Sequence, residues 1–212
     1  VPDAQPHAIP RSALAAHYRP GTYGADTGGH PGVFLTERRG LALVHLAGDA
    51  SDGAFAHGVK TETGCALPTE PGMASEDGQG SAVLWLAPDR WLAVSARHAG
   101  GLLEERLRLG LGQGTVAITP VTSGRTVIRV AGARSRDLLS KGCPVDLHPD
   151  HFQPGICAGT LIGPFTTVIH CVEPHAFDVF VARSFARDLW HWLQEGAAEF
   201  GYRVEPVAEG GD

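Results

Sequence analysis

The chain has 212 residues, 43% hydrophobic and 19% charged, with a formal net charge of -6 and a pI near 6.0. That composition is ordinary for a globular protein large enough to bury a full core. Without a clustered basic face, nucleic acid is excluded as an expected partner. Apolar runs of about five or six residues fall far short of the roughly 20 that a membrane-spanning helix needs, so no membrane role is expected. The first residues lack the apolar stretch of a secretory signal, which makes the expected location cytoplasmic. Four unevenly spaced cysteines read as reduced thiols rather than a disulfide framework.

Residues 1–31 carry Pro2, Pro6, Pro10, Pro20, Gly21, Gly28, Gly29 and Pro31. They read as an extended arm with no core of its own, mobile or laid on a partner. A strand is expected at Val33–Thr36, after which the pattern occurs twice. "LALVHLAGDASDGAFAHGV" predicts a strand, a Gly48 turn and a helix capped by Ser51 or Asp49. "TVIRVAGARSRDLLSKGC" predicts a strand, a Gly132 turn and a helix stopped by Gly142 in a left-handed conformation.

Two hairpins follow in matching order, joined at Pro88-Asp89 and at Pro174-His175. Each is followed by a helix, "GGLLEERLRLGL" in the first unit and "RSFARDLWHWLQEGAAEFG" in the second. In the second helix Phe185, Leu189, Trp192, Leu193 and Phe200 form the apolar stripe, with Ser184 as N-cap and Gly201 as the following residue. Closing strands are expected at Thr115–Thr119 and Tyr202–Glu205. The repeat distance is about 84 to 88 residues, counted from Gly48 to Gly132, Pro88 to Pro174 and Val116 to Val204.

Each unit reads β-α-β-β-α-β, so the fold class is α+β, with tandem split βαβ, ferredoxin-like repeats and antiparallel sheets. Residues 32–212 are expected to form a single compact domain of two halves, about 32–120 and 121–205, with a short C-terminal tail. Alternation at Thr126, Ile128 and Val130 buries one sheet face per half and leaves sheet surface for the other half to meet.

The densest chemical cluster is "KGCPVDLHPDHFQPGICAG", with Cys143, His148, His151 and Cys157. Its spacing matches neither paired Cys-x-x-Cys elements nor a helical His-x-x-x-His, so it reads as a helix stop and a turn rather than a zinc site. Cys143 reads as a core thiol, since a nucleophile needs a base and an orienting group that nearness of His148 and Asp146 does not supply. "GLGQG" at 110–114 follows a helix and precedes a strand, the reverse of a dinucleotide site, and reads as a loop. Trp190 and Trp192 lie about 200° apart around their helix. With Trp192 on the inward stripe, Trp190 faces either a partner or the neighbouring half.

"GRTVIRVAGARSRDLLSKGCPVDLHPDHFQPGICAGTLIG", "FDVFVARSFARDLWHWLQEGAAEFGY" and "VLWLAPDRWLAV" resemble the gamma-subunit family of heterotetrameric sarcosine oxidases, over about residues 33–203. "PRSALA" is similar to that family's opening. The resemblance implies a complex that demethylates sarcosine oxidatively to glycine and hydrogen peroxide, and with tetrahydrofolate to 5,10-methylenetetrahydrofolate. It implies alpha and beta subunits holding FAD, FMN, NAD and folate sites, and a small zinc-binding delta subunit. It also implies a fold related to the folate-binding aminomethyltransferase of the glycine cleavage system. A pterin site would need a convergent carboxylate and a closed cavity. Asp137, Asp146 and Asp178 are candidates by chemistry alone, each more simply a helix-surface, turn or strand-edge residue. The expectation is a non-catalytic structural subunit, with no catalytic, cofactor-binding or metal-binding residue assigned to this chain. The competing expectation is a freestanding folate-binding or aminomethyltransferase-like protein.

Overall fold

The structure, a computed structural model, describes residues 11–26, 28–96, 102–112 and 116–209. In the first unit, β3 (Ala42–Ala47), α1 (Gly53–Thr63), β4 (Ala74–Glu76), β5 (Ser81–Ala87), β6 (Arg90–Ser95), α2 (Leu102–Leu111) and β7 (Ala117–Pro120) follow in chain order. Before them come β1 (Gly21–Tyr23) and β2 (Val33–Arg39). The second unit runs β8 (Arg125–Ala131), α3 (Ser135–Ser140), β9 (Cys157–Ile162), β10 (Phe165–Glu173), β11 (Ala176–Ala182), α4 (Ala186–Ala197) and β12 (Tyr202–Val204), followed by β13 (Ala208–Glu209).

One sheet has the order β4-β5-β6-β3-β7, and the other β1-β12-β2-β8-β11-β10-β9, with β13 beside β2. Matching units strand for strand pairs β4 with β9, β5 with β10, β6 with β11, β3 with β8 and β7 with β12. This is the tandem split βαβ arrangement that the repeated pattern implies. The pairings are antiparallel except that β12 and β13 run parallel to β2. The strand β2 departs from chain order. It precedes the first unit yet inserts between β12 and β8 of the second.

Helices cover the outer face of each sheet. Phe55, Val59, Leu103 and Leu107 pack α1 and α2 on one, while Leu138, Leu139, Leu189, Trp190 and Leu193 pack α3 and α4 on the other. The inner faces meet through Leu41, Leu43, Leu84, Leu92, Val94, Val127, Val168 and Phe180. The two sheets also join at one seam, where Cys157 N donates to Gly72 O and Ala74 N to Gly155 O, each at 2.7 Å.

Several local expectations change. Asp52, rather than Ser51 or Asp49, caps α1 by accepting from Ala54 N at 2.8 Å. The Asp49 carboxylate is instead engaged by the Ser51 N-H and hydroxyl in the preceding turn. Ser184 caps nothing, because a 3-10 turn, Arg183–Phe185, leads into α4 and carries Phe185 out of the stripe to 49% exposure. Of the two tryptophans on α4, Trp190 is the fully buried one, at 0% exposure. Its ring stacks on Tyr18 with centroids 5.1 Å apart. Leu14 and Tyr18 enter the same core, and Tyr18 donates its hydroxyl to Glu205 O at 2.6 Å. The segment beginning at Leu14 is therefore laid on this chain itself, held by apolar anchors that its proline and glycine content obscures.

Gly142 is not left-handed; close approach requires it instead. A Cβ there would lie 2.6 Å from both Gly163 N and the Trp192 ring. Gly142→Ala is expected to cost about 1–3 kcal/mol through that overpacking, read as a lower urea midpoint with unchanged slope. An unshifted midpoint would contradict the packing account.

Candidate functional site

A polar row crosses the inner face of the larger sheet. Cross-strand register sets Thr36 opposite Arg129, Arg129 opposite Asp178, Asp178 opposite His170 and His170 opposite Cys157. Such a row follows from the two-residue period of strands, which here points charged side chains between sheets that elsewhere meet through apolar groups.

Asp178 is its anchor. Arg129 donates Nε to Oδ1 at 2.8 Å and an Nη to Oδ2 at 3.0 Å, and Arg38 from β2 adds a further bond to Oδ2. Burial pushes the Asp178 carboxyl up, but Arg38, Arg129 and His170 together outweigh it and hold its pKa below the usual carboxylate value. A carboxylate held ionised with both oxygens engaged is a poor proton acceptor. Its evident role is to clamp β2, β8 and β11.

His170, 2% exposed, places Nε2 at 2.9 Å from Oε1 of Glu76 on β4 of the other sheet. The distance suits an ion pair, yet the atoms are not aligned as a hydrogen bond, and Nε2 has no hydrogen-bond partner among the described residues. Together with Arg38, Arg129 and Asp178, this pair lines a cleft of about 330 Å³ between the sheets. Within this cleft His170 Nε2 is a polar atom placed to hydrogen-bond a guest.

The sequence candidates separate in space. Cys143 lies in the helix-side core, with Sγ 3.7 Å from Thr160 Oγ1, whereas Cys157 lies in the layer between the sheets. His148 and His151 are near neighbours, with ring centroids 6.0 Å apart, and His148 Nδ1 stands 3.5 Å from the Asp150 carboxylate. Among the described residues no group of three or more His, Cys, Asp or Glu is arranged to hold a metal. Asp137 pairs with Arg134 at 3.1 Å on the surface, and Asp146 accepts from His148 N at 2.9 Å in the turn. Asp178 alone reaches a cleft, and it belongs to an interior strand rather than an edge. Sequence reasoning missed Arg38, Glu76, Arg129 and His170. For Arg129 and His170 the signal was a charged or imidazole side chain in opposite phase to the aliphatic residues of strands buried on both faces; Arg38 and Glu76 stand on strands without that pattern.

The Cys157 thiol is pushed up to about 12 by burial, despite its contact with Trp85 O at 3.4 Å. All four cysteines are buried. In the folded chain at pH 8, alkylation of Cys157 by iodoacetamide is expected to be about three orders of magnitude slower than in urea, because the thiolate is the reacting form. Peptide mass spectrometry checks this; rapid native labelling would contradict it.

The family model for the sarcosine oxidase, gamma subunit family matches residues 47–199. The chain belongs to that family. It is 30% identical over 176 residues to sarcosine oxidase subunit gamma of Corynebacterium sp. (strain P-1), covering 83% of this chain and 84% of the relative. The counterpart from Corynebacterium sp. (strain U-96) is 28% identical over 193 residues, covering 90% and 91%. A chain of the heterotetrameric sarcosine oxidase from Corynebacterium sp. U-96, solved in complex with pyrrole 2-carboxylate, superposes with a TM-score of 0.79 at 26% identity. That match covers 90% of this chain and 95% of the other. The fold alone also resembles glycine cleavage system aminomethyltransferase T from Bartonella henselae, with a TM-score of 0.57 at 12% identity over 83% of this chain and 48% of that one. Both the gamma-subunit resemblance and the fold it implies are thus confirmed.

Proposed function

We propose that this chain is a non-catalytic structural gamma subunit of a heterotetrameric sarcosine oxidase. The observation that carries the reading is the near end-to-end superposition on a chain of such an enzyme, covering 95% of that chain. In this reading the alpha, beta and delta subunits hold FAD, FMN, NAD, tetrahydrofolate and zinc. The assembly converts sarcosine to glycine and hydrogen peroxide, and with tetrahydrofolate forms 5,10-methylenetetrahydrofolate. The chemistry of the polar row supports a structural role, since Asp178 is saturated by two guanidinium groups and the Cys157 thiol is far from ionised at neutral pH. The aliphatic layer shared by the two sheets supports a single folding unit across both halves.

The test is size-exclusion chromatography of the native protein with mass identification of what co-elutes. Co-elution with two larger flavoprotein chains and a small zinc protein is expected. A lone monomer that oxidises sarcosine, or one that binds tetrahydrofolate by itself, would overturn the assignment.

A further inference from the structure

Arg38 also walls a second cleft, of about 330 Å³, whose other arginines are Arg11, Arg39, Arg125 and Arg183. Glu37 is the acidic residue lining it, and Leu41, Leu43 and Val127 supply apolar surface. Two of these cations are already neutralised, Arg39 by Glu37 at 2.6 Å and Arg38 by Asp178. Arg11, Arg125 and Arg183 have no carboxylate partner among the described residues. Among the described residues the Arg183 guanidinium donates to the Arg11 carbonyl. Arg125 is half-buried at the start of β8, and that burial pulls its pKa down. Three arginines without a carboxylate partner among the described residues therefore line one concavity of a chain whose net charge is -6.

We propose that this cleft binds a small organic anion carrying at least two negative charges, of the dicarboxylate or phosphate-ester kind. A concave site with apolar surface and a few convergent polar groups is the usual form of a small-molecule pocket. Guanidinium forks match carboxylate and phosphate oxygens two at a time. The apolar residues accept the carbon body of the guest, and Arg11, Arg125 and Arg183 accept its charges. A simple inorganic anion would leave that apolar surface unused.

The test is calorimetric titration of the full chain at low ionic strength with succinate and with glycerol 3-phosphate. Neutral succinamide, sodium chloride at matched ionic strength and a glutamate-rich peptide serve as comparisons. Saturable, submillimolar binding of at least one dianion is expected, weakened at least tenfold by both Arg125→Ala and Arg183→Ala. Arg183 is exposed, so its variant removes charge without opening the core. Dianions acting no more strongly than matched chloride would overturn the proposal, as would binding indifferent to both substitutions. Capture of the acidic peptide alone would overturn it in favour of a protein interface. The titration uses the chain by itself, so a negative result leaves the subunit assignment standing.

Discussion

Asp178→Asn is expected to destabilise the folded chain by about 3–5 kcal/mol, the usual consequence of removing one partner from a buried charge cluster. The substitution keeps the side-chain shape but leaves Arg38 and Arg129 largely buried beside a neutral amide, with side-chain exposures of 18% and 30%. Replacing all three charged groups together with aliphatic residues of similar volume is expected to cost far less, because no guanidinium would then be stranded. Urea unfolding of the three chains makes the comparison. The pH dependence carries a definite sign. The folded pKa of Asp178 lies below its ordinary value, so its stabilisation is fully present above the unfolded carboxylate pKa of about 3.9. It is lost as pH falls through the lower folded value. The stability gap between the parent chain and Asp178→Asn should therefore stay level from pH 7 to about 5 and narrow only in stronger acid. A gap that closes near neutrality would show that another group governs it.

Trp190→Ala should cost about 3–5 kcal/mol, the range for emptying a large aromatic site in a core. For a chain of this length that corresponds to a fall in Tm of roughly 6–20 °C. The loss includes the Tyr18 ring stack, so Tyr18→Ala and Trp190→Ala should combine non-additively in a double-mutant cycle. A change within about 0.5 kcal/mol, typical of surface positions, would contradict the burial.

The repeat was legible because its punctuation is local: the Gly48 and Gly132 turns, the hairpin corners at Pro88 and Pro174, and strand alternation that a two-residue period makes visible. What escaped was set by distance along the chain. Trp190 and Trp192 are related by the helix period alone, which fixes the angle between them but not which one faces inward; Tyr18, about 170 residues earlier, decides it. Phe185 fitted the stripe by spacing, until the 3-10 turn before α4 shifted its direction. The polar row was illegible for the same reason, since Arg38, Arg129, Asp178 and His170 become neighbours only through strand register. Asp178 was visible as a carboxylate, and its partners were not.

The placement of β2 reaches beyond architecture. A chain whose pattern occurs twice invites division near residue 120, as though two copies of one unit had been joined end to end. Yet the strand filling the gap between β12 and β8 arrives from the far side of that cut. Severed there, the C-terminal fragment would present two unpaired strand edges in the middle of its sheet, the kind of surface that recruits foreign strands. The N-terminal fragment would carry β2 with no sheet to join. The two copies have become mutually dependent, so the sheet closes only after contacts between distant parts of the chain have formed, a topology that favours slow folding.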